Sequence, residues 1–410
     1  MEWFAAPDSE IARQVLQRGV AALYLIAFLS TAAQFPALLG ERGLLPVTRL
    51  LDLRPKGLGP TLFRWRYSDR LLRVVAFTGA ALAALLVLGL PQTGPPWLPA
   101  IAFLAIWLLY LSVVNVGGTF YGFGWETLLL EAGFLVAFLG SNSQAPPTTV
   151  LLTVVWLVFR LEFGAGLIKL RGDTAWRDLT ALYYHHETQP MPNPVSRAAH
   201  LLPRPVHRLE VLGNHVSQLA VPFLLFLPQP IATVGAAVVI LTQGWLVISG
   251  NFAWLNWITI VLAFAAVGDS AVAAVLPFVP ADLGQDGPLP PWWLAATLAV
   301  TVLIAVLSWW PAKNLVSRDQ LMNASFNRWH LVNTYGAFGS VTRKRYEVVV
   351  EGSEEERPSD DSWREYLFKG KPSEPGRMPP QFAPYHLRLD WLMWFLPLGG
   401  DDRWFVAFLR

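Results

Sequence analysis

The sequence predicts an all-α polytopic membrane bundle with a small C-terminal β-rich domain, and three observations carry that reading. Only 15% of the 410 residues are charged, against about 25% in a soluble chain. The deficit is uneven: Val74 to Ile168 holds four charges (Glu126, Glu131, Arg160 and Glu162), Val211 to Ala281 holds Asp269 alone, and Pro311 to Arg410 holds 27. The apolar runs are continuous and about 20 residues long, the length of a spanning helix, without the alternation of a barrel strand. Together these exclude an ordinary soluble enzyme, a disordered chain and a collagen-like one.

The spans are expected near 19–39, 71–90, 97–115, 122–140, 148–169, 210–228, 231–249, 251–268 and 292–310, nine in all. Proline clusters at Pro91 to Pro96, Pro146-Pro147, Pro228-Gln229-Pro230 and Pro288 to Pro291 separate them, because proline ends or kinks a helix. The seventh and eighth meet at Gly250-Asn251 and can be read as one broken helix. The first run, with an 18-residue charged lead, is expected to be a retained span rather than a signal peptide. Residues 1–310 therefore form a transmembrane domain with two polar loops, 40–70 and 169–210, and residues 311–410 an extramembrane one. Nine spans put both loops and the tail on one face. In the tail, Arg345 to Val350 and Trp363 to Phe368 read as strands, and the aromatic stretch Pro384 to Leu398 as a short helix on the membrane surface.

Zero cysteines exclude disulfides, thiolate nucleophiles and iron–sulfur clusters and leave the compartment unread. A net charge of +2 gives no general attraction to nucleic acid. No Walker loop, GxGxxG or GxSxG is present, so nucleotide binding and α/β-hydrolase chemistry lack support.

Ionisable groups within spans are expensive and so mark function or packing. Glu162, Gly166 and Lys169 fall at i, i+4 and i+7, one helix face with a glycine in its middle. Glu131 and Glu126 are the candidates to neutralise Arg160. The residues fit a buried ion-pair network; the sharper alternative makes Lys169, partly desolvated at the membrane boundary, a base tuned by Glu162. The loop Tyr184-His185-His186-Glu187-Thr188-Gln189-Pro190-Met191-Pro192-Asn193-Pro194 alternates proline and so runs extended, suiting either a structural lid or a strip that binds a peptide or headgroup. His207, Glu210, Asn214 and His215 form a polar face at the start of the sixth span. Metal ligation is conceivable from that spacing, but no HExxH pattern or second carboxylate supports it, and neither metal nor cofactor is expected. Asn251 completes the membrane polar set. A transporter has too few membrane acids.

Several motifs resemble the lipase maturation factor family: Gly124-Trp125-Glu126 through Phe134, Phe159-Arg160 through Asp173, and the run Tyr184 to Pro194. Further matches are His207 to Glu210, Asn214-His215, Ser249 to Trp257, Leu331 to Ser340 (with Asn333, Tyr335 and Phe338), and Pro384 to Trp394 (with Tyr385, His386, Arg388, Asp390 and Trp391). In animals this family comprises endoplasmic reticulum membrane proteins needed for secreted lipases to fold. The resemblance implies a membrane-embedded chaperone whose partners are membrane lipids and secreted lipase or hydrolase clients, with the 333–391 residues facing the client. Family members would be expected to continue past Arg410, leaving the tail's sheet incomplete. The Ala/Leu/Arg/Pro-rich composition suggests a bacterial plasma membrane.

A more distant resemblance is to the multi-span domain of vitamin K-dependent gamma-carboxylase. There an Ala-Gly-Val-Lys-Lys-Leu stretch matches Ala165 to Leu170, which would place a catalytic-base lysine on Lys169 and a quinol-like substrate beside it. Ile168 departs from the paired lysines. The Lys and Arg of the first loop would make the polar face cytoplasmic by the positive-inside rule; both families imply the opposite, a lumenal or exoplasmic face, and long folded loops obey the rule poorly.

Overall fold

The computed structural model describes residues 2–53, 55–276, 289–399 and 402–409; the expected breaker at Pro288 lies outside them. Five long helices come first: α1 (Glu10–Leu39), α2 (Asp69–Val87), α3 (Trp97–Val114), α4 (Gly124–Val136) and α5 (Thr148–Arg171). A short α6 (Leu182–Thr188) precedes α7 (Arg204–Leu219), α8 (Ile231–Ser249), α9 (Leu255–Ala263), α10 (Asp269–Val275), α11 (Pro291–Leu307) and α12 (Trp309–Val316). The tail adds strands β1 (Glu351–Gly352) and β2 (Arg364–Glu365) and helix α13 (Arg388–Phe395).

The helix ends follow local chemistry. Ser68 caps α2 by accepting from the Leu71 amide at 3.1 Å. The start of α1 has no side-chain cap from its own neighbours. Instead, the Asp269 carboxylate accepts from the Glu10 and Ile11 amides at 2.8 and 2.9 Å, satisfying two orphan donors from 259 residues away. Asp269, the lone charge in its stretch of sequence, is thus a cap. Close helix contact relies on glycine at two places. A Cβ on Gly133 would meet the Tyr24 hydroxyl at 2.3 Å, and one on Gly166 would meet Leu219 at 2.8 Å.

Six stretches among the described residues are long and apolar enough to cross a membrane: Pro7–Leu39, α2, α3, α5, α8 and Pro291–Val316. A seventh is counted if Leu255–Ala266 and α10, which meet at 107°, make one broken span. This falls short of nine. The expected span at 122–140 gives the 13-residue α4, buried on nearly every side and carrying two acids. The one at 210–228 gives the amphipathic α7 and a separate turn at Val221–Leu224 with Pro222 inside it; its polar stripe and the proline deny it a continuous apolar span. The candidate broken helix at Gly250-Asn251 is two helices, α8 and α9, with a break between Ser249 and Leu255.

The tail is not β-rich among the described residues. Its two strands are two residues each, paired antiparallel as Glu351 with Glu365 and Gly352 with Arg364. The expected strand at 345–350 instead reaches the loop beside α6: Arg345 donates to the carbonyls of Gln189 and Pro190. With two strands among the described residues, such a ladder is only marginal by itself. Helix α13 turns one face to the protein. Arg388, Asp390, Trp391, Leu392 and Met393 are buried against the bundle.

Two carboxylates on α4 fasten the tail. Glu131 pairs with Arg160 and accepts from the Asn333 amide at 2.9 Å and the Tyr335 hydroxyl at 2.7 Å, while Arg160 also donates to the Asn333 carbonyl at 2.6 Å. Glu126, expected as a second partner of Arg160, pairs with Arg388 at 2.6 Å and accepts from Tyr110. The Arg388 guanidinium stacks 3.5 Å above the Tyr121 ring. Removing one member of a fully buried ion pair leaves an uncompensated charge, at roughly 3–5 kcal/mol. Arg160→Met is expected to lower thermal stability in detergent by about that much. Adding Glu131→Gln should recover part of the loss; equal melting of Arg160→Met and wild type would contradict the clasp.

Candidate functional site

Where α5, α7 and α8 meet the tail, they enclose a cavity of about 1560 Å³, larger than the roughly 300–1,000 Å³ typical of small-molecule sites. Most of its lining is apolar, with a few polar groups pointing inward. The helical repeat builds that polar set. Glu162 and Lys169 lie seven residues apart on α5, and Glu210, Asn214 and Gln218 form an i, i+4, i+8 stripe on α7 facing them. The Lys169 ammonium donates to Asn214 Oδ1 and Gln218 Oε1, both at 2.9 Å, and sits 4.7 Å from the Trp176 ring centre. Glu162 accepts from Gln243 Nε2 at 2.6 Å, and its Oε2 is buried without a hydrogen-bond partner among the described residues. Lysine and carboxylate are therefore held by neutral amides, with Gln218 interacting with both, on the wall of one apolar chamber.

The remaining sequence-selected residues divide among several places. His185 and His186 border the cavity from α6, so Tyr184 to Glu187 lie on a helix and only the following prolines run extended. Gln189, Pro190, Pro192 and Asn193 are buried, and Pro194 is exposed. Asn193 reaches Ile248 O at 2.6 Å and Gln381 Oε1 at 2.8 Å, while Gln189 reaches Ser249 O at 3.1 Å. This loop is a strut between α8 and the tail, not an open binding strip. Asn251 performs the same task, accepting from the Phe382 and Ala383 amides at 3.0 Å each. His215 contacts the Trp176 carbonyl at 3.0 Å. His207 and Glu210 stand beside His186.

The residues expected to face a client point inward. Asn333, Tyr335, His386, Arg388, Asp390 and Trp391 are buried, and Phe338 and Trp391 close the cavity's tail side. Tyr385 is partly buried, its hydroxyl 3.1 Å from Gln34 Nε2. These motif residues attach the tail, so a client surface has to be sought elsewhere. Sequence reasoning missed Gln218, Gln243, Trp176 and Trp245. The signal was present for two of them: Gln218 continues the stripe from Asn214, and Gln243 is the single amide within the apolar α8, a costly placement.

Burial pushes His185 down to about 3, with the His186 and Lys169 charges adding to it. Burial likewise takes His386 down to about 4, against a hydrogen bond to Glu126. Both imidazoles are neutral near pH 7. Because each folded value lies below the ordinary 6.5, the unfolded chain binds more protons between those limits. Their contribution is complete above about pH 6.5 and is lost as pH falls toward 4 and 3. At pH 5 the loss is roughly 2 kcal/mol for each histidine. Melting of the detergent-solubilised protein should therefore drop between pH 7.5 and 5, less steeply for His386→Gln; a flat profile would rule out buried neutral imidazoles.

A helical membrane bundle with a capped, amphiphilic chamber is the class of protein that this arrangement defines. The comparisons then give its family. Residues 11–274 match the lipase maturation factor transmembrane domain, and residues 331–410 match the lipase maturation factor C-terminal domain. The chain is 40% identical to lipase maturation factor 1 of Bos taurus, over 94% of this chain and 75% of that protein. It is 39% identical to the Homo sapiens protein of that name, over 94% and 74%. Lipase maturation factor 2 of Homo sapiens is 28% identical over 97% of this chain and 74% of its own length. No solved structure matches. The chain belongs to the lipase maturation factor family.

Proposed function

We propose that this protein is a membrane-embedded maturation factor that assists the folding or assembly of secreted lipases or related hydrolases. The observation that carries this is the match of both family domains, in order, with 40% identity to a lipase maturation factor over 94% of the chain. The tail offers a surface suited to a folding client. Val349 and Trp363 lie together and Tyr366 stands beside Gly352 where the two strands pair, each about half exposed or more, and exposed apolar patches of this kind mark protein contacts. A client caught before its own core closes presents apolar surface for them.

A second reading has one specific observation in its favour. Lys169 and Glu162 face the same apolar chamber without pairing to each other, as a lysine base acting on a lipid-soluble, quinol-like substrate would require. The two readings separate in one experiment. Secreted lipase activity is measured in a deletion strain complemented with wild type, Lys169→Met or Trp363→Asp/Tyr366→Asp at matched membrane levels. The maturation-factor reading expects Lys169→Met to restore activity and the tail double variant to lose most of it. Loss with Lys169→Met alone, at normal folding, supports the lysine-base enzyme.

The topology proposed is nine passes, with α4, α7 with its following turn, and α9 crossing in addition to the six span-length helices. Contacts at the two ends support alternation. Gln34, Asn115, Gly172 and Asn251 lie beside tail residues at one end; Glu10, Asn142, Gln229 and Asp269 gather at the other. The tail end is taken to be lumenal or exoplasmic, as the first-loop charges do not govern a long folded loop. A bacterial plasma membrane rests on composition alone, since the relatives named above are vertebrate. The natural absence of cysteine makes the topology test clean: Ser359→Cys and Thr93→Cys, both exposed positions, should react with an impermeant maleimide from opposite sides of a sealed membrane. Labelling of both from one side would overturn the nine-pass arrangement.

A further inference from the structure

We propose that His186, His207 and Glu210 form a binding site for a first-row divalent cation of the zinc class, set in the wall of the cavity. One ligand atom from each residue lies within 4.8 Å of the other two. His207 and Glu210 share a face of α7 at i and i+3, and His186 comes from α6, outside the 207–215 stripe, which is why sequence spacing gave only part of the set. Ligands around a tetrahedral zinc stand roughly 3.4 Å apart, so side-chain rotations of about an ångström close the site.

The ring nitrogens supply the independent sign. His186 is only 3% exposed, and neither of its nitrogens has a hydrogen-bond partner among the described residues. A buried polar group left unpaired is costly, and one that faces two other ligands points to something between them. His207 is 2% exposed. Its Nε2 lies 3.1 Å from the His200 carbonyl, an acceptor only, so Nε2 carries the proton and Nδ1 keeps its lone pair. That Nδ1 also lacks a partner. A hydrogen bond that fixes the tautomer behind a coordinating nitrogen is the usual outer support of a metal-bound histidine. Glu210 has a similar support: its Oε1 accepts from Trp245 Nε1 at 2.5 Å, and the same oxygen stands 3.8 Å from His186 Nε2.

Two imidazoles and one carboxylate suit zinc and its neighbours rather than magnesium or calcium, which favour all-oxygen sets. His186 and Glu210 also border the cavity, so the fourth coordination position opens into it, the arrangement of a metal that holds a water or a ligand group. The site stands apart from the lipase reading, because occupancy is read directly.

The test uses the full chain, purified in detergent, stripped with a chelator and dialysed against Zn²⁺ or Co²⁺. Expected are one metal per chain by mass spectrometry and the visible absorption of low-coordinate Co²⁺. His186→Ala, His207→Ala and Glu210→Gln should each weaken binding at least tenfold, while the nearby His200→Gln retains it. Gel filtration and melting identify any variant that fails to fold; Trp245→Phe, which leaves the three ligands in place, then serves as the milder probe and should weaken Co²⁺ binding. A wild-type chain that takes up no stoichiometric Zn²⁺ or Co²⁺ overturns the proposal and leaves the group as a histidine–carboxylate pair, as does undiminished binding in folded His186→Ala.

Discussion

Two acids on one short helix organise this molecule. Glu126 and Glu131 are fully buried on α4, and each ties a different part of the tail to the bundle. Glu131, with Arg160, grips the backbone at Asn333; Glu126 grips Arg388. Buried ion pairs are weak evidence for stability, since desolvation offsets much of their attraction. Their effect here is to fix position. Val332, held beside that grip, has φ of +54°, a left-handed conformation rarely adopted by a β-branched residue. The segment running through Phe338 is thereby bent over the chamber, and α13 follows it to complete the roof. The acids share this task with Trp176 Nε1, which donates to the Phe338 carbonyl at 2.8 Å, and with Asp173, which pairs with Arg343 at 2.8 Å.

The fold class was legible because membrane insertion writes itself into composition: charge depletion and run length follow directly from the cost of polar groups in hydrocarbon. The number of spans was less legible. Residues 122–140 and 210–228 are apolar enough on average, yet the first is shortened around its two buried acids and the second carries the polar stripe of the cavity. Average hydropathy does not distinguish a helix facing lipid from one facing a chamber.

The site was partly legible for a similar reason. Glu162 and Lys169 stand out as charges in an apolar run, and their helical spacing puts them on one face whatever surrounds it. What surrounds it depends on which helices pack there, so Gln218, Gln243 and Trp176 entered only with the tertiary structure. The tail was the least legible part. Arg388 and Asp390 are charged residues of a terminal segment, and sequence alone assigns such residues to solvent; their burial depends on partners more than 250 positions upstream in the case of Arg388. Amphiphilic lining, a roof made of tail residues and an apolar outer face on that tail are all consequences of the same docking.

The distance in sequence between Glu126 and Arg388 also governs how the chain is made. The acid is synthesised 262 residues before its partner, which at about 5–20 residues per second is an interval of roughly 13–50 s. Throughout that time Glu126 has the Tyr110 hydroxyl as a partner but not yet its arginine. A protein whose family serves the folding of others thus has a late-closing step of its own, and whatever shelters that helix while the tail is being translated controls how much of the protein matures.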